Sequence, residues 1–173
     1  MLLKATIALE RRFELPDEAS PAQDPEGRRY CGLRVGNLGL LVAHDVGGEI
    51  IEDARVFPLP RAASWCRGLI NLRGNLIPAF DLHESLGLTH LKASRQWCLA
   101  LGAGQAMLAF PVDALPVALR AEEGSMVRTH VTLDPLRAHA GATYRINGDL
   151  WLEFKHLEFF RALCTGASGS QPS

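Results

Sequence analysis

From Tyr30 to Phe154 the chain is a succession of short apolar runs, broken roughly every 8–12 residues by turn-forming dipeptides, the habit of small β-barrels and sandwiches. Cys31, Leu33 and Val35 alternate with Gly32 and Arg34, Gly36-Asn37 intervenes, and Leu38–Ala43 follows. This grammar predicts strand, tight turn and strand. Glu49-Ile50-Ile51 continues a strand, and Pro58-Leu59-Pro60 is extended because proline disfavours helix in the residue before it. Leu69–Leu72 and Leu76–Phe80 flank a three-residue turn, Arg73-Gly74-Asn75, and form the hairpin on which the chain centres. Further on, Trp97–Leu101 and Ala106–Val112 surround a glycine-rich turn, Pro116–Leu119 makes another short strand, and Thr143–Ile146 and Leu150–Phe154 bracket Asn147-Gly148-Asp149.

Helical spacing is confined to short stretches. Leu3/Ile7 and Leu9/Phe13 predict an amphipathic helix over residues 1–13. Residues 14–29 contain three prolines and little bulky apolar matter, and read as a flexible linker. Asp81 is placed to cap a short helix through Leu86 that Gly87 closes, and Asp134-Pro135 to open one through His139 with the aspartate as cap. Leu157, Phe160 and Cys164 mark a final helix, followed by a disordered tail over residues 165–173. Residues 120–132 read as loop. The predicted domain therefore runs over residues 30–164, mostly β with a few short helices, in two similar-sized blocks near 30–88 and 95–155 that pack as subdomains.

Composition narrows the function classes. With 173 residues, 18 basic and 19 acidic side chains and a net charge of −1, the chain lacks the basic excess that nucleic acid or an anionic membrane selects. Aromatic residues are 7%, and no strand alternates them with Lys or Arg as a nucleic-acid barrel does, so no nucleic acid is expected as partner. Cys31, Cys66, Cys98 and Cys164 form no C-x-x-C pair and read as reduced, mostly buried thiols. No signal sequence and no membrane-spanning apolar run is found, so the cytoplasm is expected, without direct membrane insertion.

Catalytic signatures are equally scarce. The sequence contains no G-x-S-x-G, P-loop, G-x-G-x-x-G or H-E-x-x-H motif. Its six histidines are scattered, with no two spaced to share a face as metal ligands, so no metal and no cofactor is expected. An enzyme reading would have to use Cys66 with Asp81 and His83, or Asp113 as a lone carboxylate. Asp81 is better used as a helix cap, Asp113 as a strand end bonding a turn, and Cys66 beside Trp65 as an inert thiol. Arg73 stands apart. Many polar residues would serve its turn, whereas a guanidinium fixed on a hairpin tip suits recognition of a partner carboxylate; the alternative is a solvated turn arginine. What remains is a rigid β module that binds other proteins.

Around that hairpin the sequence resembles the CheW-like family of bacterial chemosensory coupling proteins. The resemblance is carried in order by Val46-Gly47-Gly48-Glu49-Ile50, Leu59-Pro60, Gly68-Leu69-Ile70-Asn71-Leu72-Arg73-Gly74, Ile77-Pro78-Ala79-Phe80-Asp81-Leu82, Leu86-Gly87 and Pro111-Val112-Asp113 with Val117. Trp151–Phe154 looks more like the branch serving twitching motility and type IV pili. The resemblance implies two SH3-like five-stranded β-barrels packed together. It also implies a non-enzymatic adaptor between methyl-accepting chemoreceptor tips and the regulatory domain of a CheA-type histidine kinase, located at membrane-associated arrays. Arg73 and Glu49 fall on its partner-facing positions, where they can form an exposed ion pair, with Gly47 and Gly68 grouped beside them. Gly68 also falls, with Asn71 and Gly74, on turn positions that shape the hairpin presenting Arg73, and Asp81 and Asp113 fall on structural turn positions. Two departures stand out: Gly47-Gly48 replaces a bulkier residue and His83 a basic one. They leave open a divergent module that binds a single partner.

Overall fold

The computed structural model describes residues 27–90, 97–129 and 133–167. The helix expected over residues 1–13 and most of the expected linker lie outside the described residues. Among those described, the chain forms β1 (Arg28–Val35), β2 (Leu38–Ala43), β3 (Gly48–Glu52), β4 (Val56–Phe57), β5 (Cys66–Leu72), β6 (Asn75–Phe80), α1 (Leu82–Leu86), β7 (Trp97–Leu101), β8 (Leu108–Val112), β9 (Val117–Ala121), β10 (Met126–Val127), α2 (Asp134–Arg137), β11 (Ala140–Ile146), β12 (Asp149–Phe154) and α3 (His156–Ala167). Two six-stranded sheets result, in the orders β10-β11-β12-β2-β1-β9 and β3-β7-β8-β6-β5-β4. Each has five strands of five to eight residues and a sixth of two residues.

The central strands are apolar in continuous runs because both of their faces are buried. Leu40 and Val42 of β2, Leu99 and Leu101 of β7, Leu108, Phe110 and Val112 of β8, and Leu152 and Phe154 of β12 point into one core shared between the sheets. The alternate residues point the other way, into a smaller core within each sheet. Tyr30, Leu41, Ala121, Tyr144 and Trp151 fill the first, and Ile70, Ile77, Ala79, Ala100 and Ala109 the second. Three apolar layers are thus sandwiched by two curled sheets. Phe159 and Phe160 of α3 enter the shared core, where Phe160 stacks on Phe80 with ring centroids 4.7 Å apart. Pro78 and Pro111 carry no donor, and the parallel ladder between β6 and β8 is reduced to the single register pair Ala79–Ala109.

Several expectations need correction. The two subdomains are not consecutive blocks: the second sheet, β3 to β8, is inserted between β2 and β9 of the first. The first strand begins at Arg28, and α3 runs to Ala167, so residues 165–167 are helical where a tail was expected. Residues 120–132 are not all loop, because Arg120 and Ala121 end β9 and Met126-Val127 forms β10. Asp134 lies inside α2 without capping it, and the residue before the helix is Leu133. The turn between β5 and β6 has two residues, since Leu72 pairs directly with Asn75.

Candidate partner-binding site

The β5–β6 hairpin turns through Arg73 and Gly74, both with positive φ, 51° and 87°. Two such residues define the turn that matches the right-handed twist of a hairpin, for which Asn-Gly is the favoured sequence. Asn71 supports the turn by accepting a hydrogen bond from the Gly74 N–H at 2.8 Å. Glycine has no steric objection to this geometry, whereas an L residue with a long side chain is disfavoured in the left-handed region by roughly 1 kcal/mol. The chain contains its own comparison. Asn147-Gly148, between β11 and β12, has φ values of 53° and 88°. Arginine therefore occupies a corner where the same chain elsewhere uses the residue that the backbone prefers.

From that corner the Arg73 Nη2 donates to Glu49 Oε1 at 2.9 Å, with side-chain exposures of 47% and 16%. Glu49 lies on β3, one edge of the sheet, while β6 and β5 stand three and four strands away. A flat sheet would separate them by roughly 14–19 Å, a gap that the curl of the sheet closes. The pair thus clasps the rim of the second barrel and keeps the guanidinium half in solvent. Leu76, 63% exposed, lies three residues along the hairpin, and Phe57 and Leu59 are exposed at and beyond the short edge strand β4. An oriented cation with apolar neighbours on a rigid hairpin is the chemistry of an interface anchor.

The other expected positions divide. Gly47, with φ of 68° and nothing within 4 Å of a Cβ there, borders a shallow apolar groove with Gly48, Ile50, Val42, Leu99 and Leu101. Gly68, grouped with partner-facing positions by the resemblance, is buried. A Cβ there would sit 2.1 Å from the Phe57 carbonyl oxygen, and the residue occupies the irregularity in the β5–β6 ladder with φ of 130°. Its place is structural: it lets β4 approach β5. Asp81 Oδ1 accepts from the Glu84 N–H at 3.1 Å and caps α1. The Gly87 N–H bonds the Glu84 carbonyl and the Leu88 N–H that of His83, which closes α1 in a Schellman motif. Asp113 Oδ2 accepts from the Gly36 N–H at 2.5 Å and lies 2.6 Å from His83 Nε2, which ties the end of β8 to the β1–β2 turn.

The cysteine and histidine expectations also change. Among the described residues no two cysteines are joined in a disulfide; three are half-buried and Cys164 is exposed, and burial pushes the Cys31 and Cys98 thiols up to about 11. Cys164 is held above its ordinary value by burial and then by Cys66. His83 is fully buried against Asp113, and the histidines are not all scattered. The His83 ring stacks on that of His90 at 3.8 Å, and His90 Nε2 lies 3.4 Å from Asp81 Oδ2. Sequence reasoning missed this convergence because it is made by the turn after Gly87, which brings residue 90 back over the start of α1. The only signal was three potential ligands within ten positions.

Two packed, curled β-sheets, with an ion-paired arginine on a hairpin rim, define a double-barrel β module. The family model for the CheW-like domain matches residues 32–161, and the chain belongs to that family. It is 31% identical over 80 residues to Protein PilI of Pseudomonas aeruginosa, covering 44% of this chain and 45% of that protein. It is 28% identical over 83 residues to Chemotaxis protein CheW of Thermotoga maritima, covering 48% and 55%, and 38% identical over 68 residues to Protein FrzA of Myxococcus xanthus, covering 39% and 42%. These matches span about half the length of each relative. The fold is also that of the crystal structure of scaffolding protein TtCheW from Thermoanaerobacter tengcongensis, with a TM-score of 0.65 at 18% identity over 75% of this chain and 89% of that one.

Proposed function

We propose that this chain is a non-enzymatic cytoplasmic adaptor of a bacterial chemosensory system. In this reading it couples the tips of methyl-accepting chemoreceptors to the regulatory domain of a CheA-type histidine kinase. The observation that carries the reading is Arg73. The backbone disfavours it at its corner, Glu49 orients it, and solvent reaches it. An exposed ion pair contributes only about 0.2–1 kcal/mol, which the left-handed conformation offsets, so fold stability gives no net reason to keep an arginine there. Recognition does. Similarity to PilI and FrzA favours the twitching-motility, type IV pilus branch. Individual contacts of such an adaptor can be small, because linked sites raise one another's effective concentration.

A second reading has a specific observation in its favour. Gly47 and Gly48 leave the groove beside β3 without a side chain where the family resemblance expects a bulkier one, which suits a module that binds one partner alone. Co-elution of the purified chain with the kinase regulatory domain, with a receptor cytoplasmic fragment, and with both together separates these readings. Binary complexes with each and a ternary complex support the adaptor. A complex with one partner only supports the single-partner module, and no complex with either overturns both. Deletion in the native host is expected to impair pilus-driven spreading and to leave swimming intact; the opposite pattern overturns the branch assignment.

A further inference from the structure

At the end of β6 away from Arg73, the start of α1 carries a cluster that the protein-binding reading does not use. Asp81, His83 and His90 each offer one ligand atom, and the three atoms lie within 4.8 Å of one another. The decisive feature is His83. Its side chain is fully buried, its Nε2 lies 2.6 Å from Asp113 Oδ2, and its Nδ1 has no hydrogen-bond partner among the described residues. The Gly36 N–H lies 3.2 Å from the same Nε2 but is shared with Asp113 Oδ2 at 2.5 Å, so the shorter carboxylate contact favours the tautomer in which Nε2 donates to Asp113 and the lone pair of the ring lies on Nδ1. That lone pair faces the Asp81 carboxylate, whose Oδ1 is 3.9 Å away, too far for a hydrogen bond. Two electron-rich groups set against each other, one of them fully buried, call for a cation between them.

We infer that Asp81, His83 and His90 form a binding site for a divalent transition-metal ion of the zinc type. His83 supplies Nδ1, His90 supplies Nε2, and Asp81 supplies one carboxylate oxygen while Oδ1 caps α1. Imidazole and carboxylate together suit Zn2+, Co2+ or Ni2+ and not Mg2+ or Ca2+, which prefer oxygen-only sets. The 3.4 Å between Asp81 Oδ2 and His90 Nε2 is close to the roughly 3.3 Å edge of a tetrahedron built on zinc bond lengths. His90, 52% exposed, has room to tilt out of its stack on His83 and turn its lone pair inward. Asp113 completes the arrangement. A metal-bound histidine characteristically donates its other ring N–H to a carboxylate, as His83 Nε2 does here, and Asp113 is itself held by the Gly36 N–H. Three protein ligands leave one coordination position for water on the exposed side of His90. An ion there fastens the segment returning after Gly87 to the start of α1.

The test is titration of the untagged full-length chain with Co2+ and with Zn2+, read by the visible spectrum of the cobalt form, by calorimetry and by melting temperature. One equivalent per chain is expected, with the visible bands of four- or five-coordinate cobalt, displacement by Zn2+ and a raised melting temperature. His90→Ala, at an exposed position, is expected to fold normally and to lose the bands; Asp113→Asn is expected to weaken binding about 10–100-fold by loosening His83. His44→Ala is expected to leave the cobalt bands and the stoichiometry unchanged. Absence of a one-equivalent complex, or the same binding in His90→Ala as in wild type, overturns the proposal.

Discussion

Arg73 and Asn147 occupy the same corner of two hairpins with nearly the same backbone angles, and only Asn147 is the residue such a corner favours. That contrast is the ground on which we propose a recognition role for Arg73, and half of it was legible in the sequence. An arginine between two apolar strands at a Gly-containing turn could be noticed there, and so could Asn71 and Gly74 as turn residues. Its left-handed φ and its bond to Glu49, 24 residues away, depended on turn length and on barrel closure, neither of which a linear pattern states. The histidines were less legible still, since the partners of His83 come from three separate segments. His156 gives a prediction at this scale. It is buried, its Nε2 lacks a hydrogen-bond partner among the described residues, and burial holds its pKa below the ordinary value near 6.5. Below about pH 6.5 the unfolded chain takes up a proton at this residue while the folded one does not, so stability is fully present above that pH and falls as the pH drops toward the folded pKa. The melting temperature is expected to decline between about pH 7 and pH 5. In His156→Gln the decline should be shallower, leaving the contribution of His44, whose pKa burial and then Arg29 also lower.

At the scale of elements, the apolar runs identified most strands because both faces of β2, β7 and β8 are buried, which makes their sequences continuous and conspicuous. The two-residue strands β4 and β10 carry no pattern long enough to read. α1 was legible from Asp81, Glu84 and Gly87, because its capping is local; α2 was misread by one residue at its cap. Of the two places the resemblance offered Gly68, turn residue and partner contact, the geometry supports the first. Gly68→Ala places a Cβ 2.1 Å from the Phe57 carbonyl oxygen in a conformation that already favours glycine, and neither backbone has room to move. A destabilisation of roughly 2–4 kcal/mol is expected from chemical denaturation. Gly74→Ala, with nothing within 4 Å of its Cβ, carries only the conformational cost, roughly 1 kcal/mol. Equal effects at the two positions would show that β4 is not held as described.

At the scale of the molecule, a small-barrel or sandwich class was readable from the run of short strands and the double barrel from the family resemblance, whereas the insertion of one barrel within the other was not. Strand pairing between β2 and β12, over a hundred residues apart, leaves no trace in composition or periodicity. The shared core has a thermodynamic consequence: residues of both sheets and of α3 lose their partners together. Unfolding is expected to be one transition, with coincident curves from tryptophan fluorescence and far-ultraviolet circular dichroism. Phe160, 2% exposed and in ring contact with Phe80, Phe110, Phe154 and Phe159, joins these parts. Phe160→Ala should cost about 3–5 kcal/mol by urea titration and keep the single transition. Two separated transitions would show that the barrels are stable independently.

The most direct measurement compares Arg73→Asn with wild type, reading the melting temperature and the affinity for the kinase regulatory domain and the receptor fragment in parallel. Asparagine relieves the left-handed strain and loses a weak ion pair, so the melting temperature should hold or rise slightly while affinity for at least one partner falls tenfold or more. A lowered melting temperature with both affinities unchanged would mean that Arg73 clasps the barrel and recognises nothing.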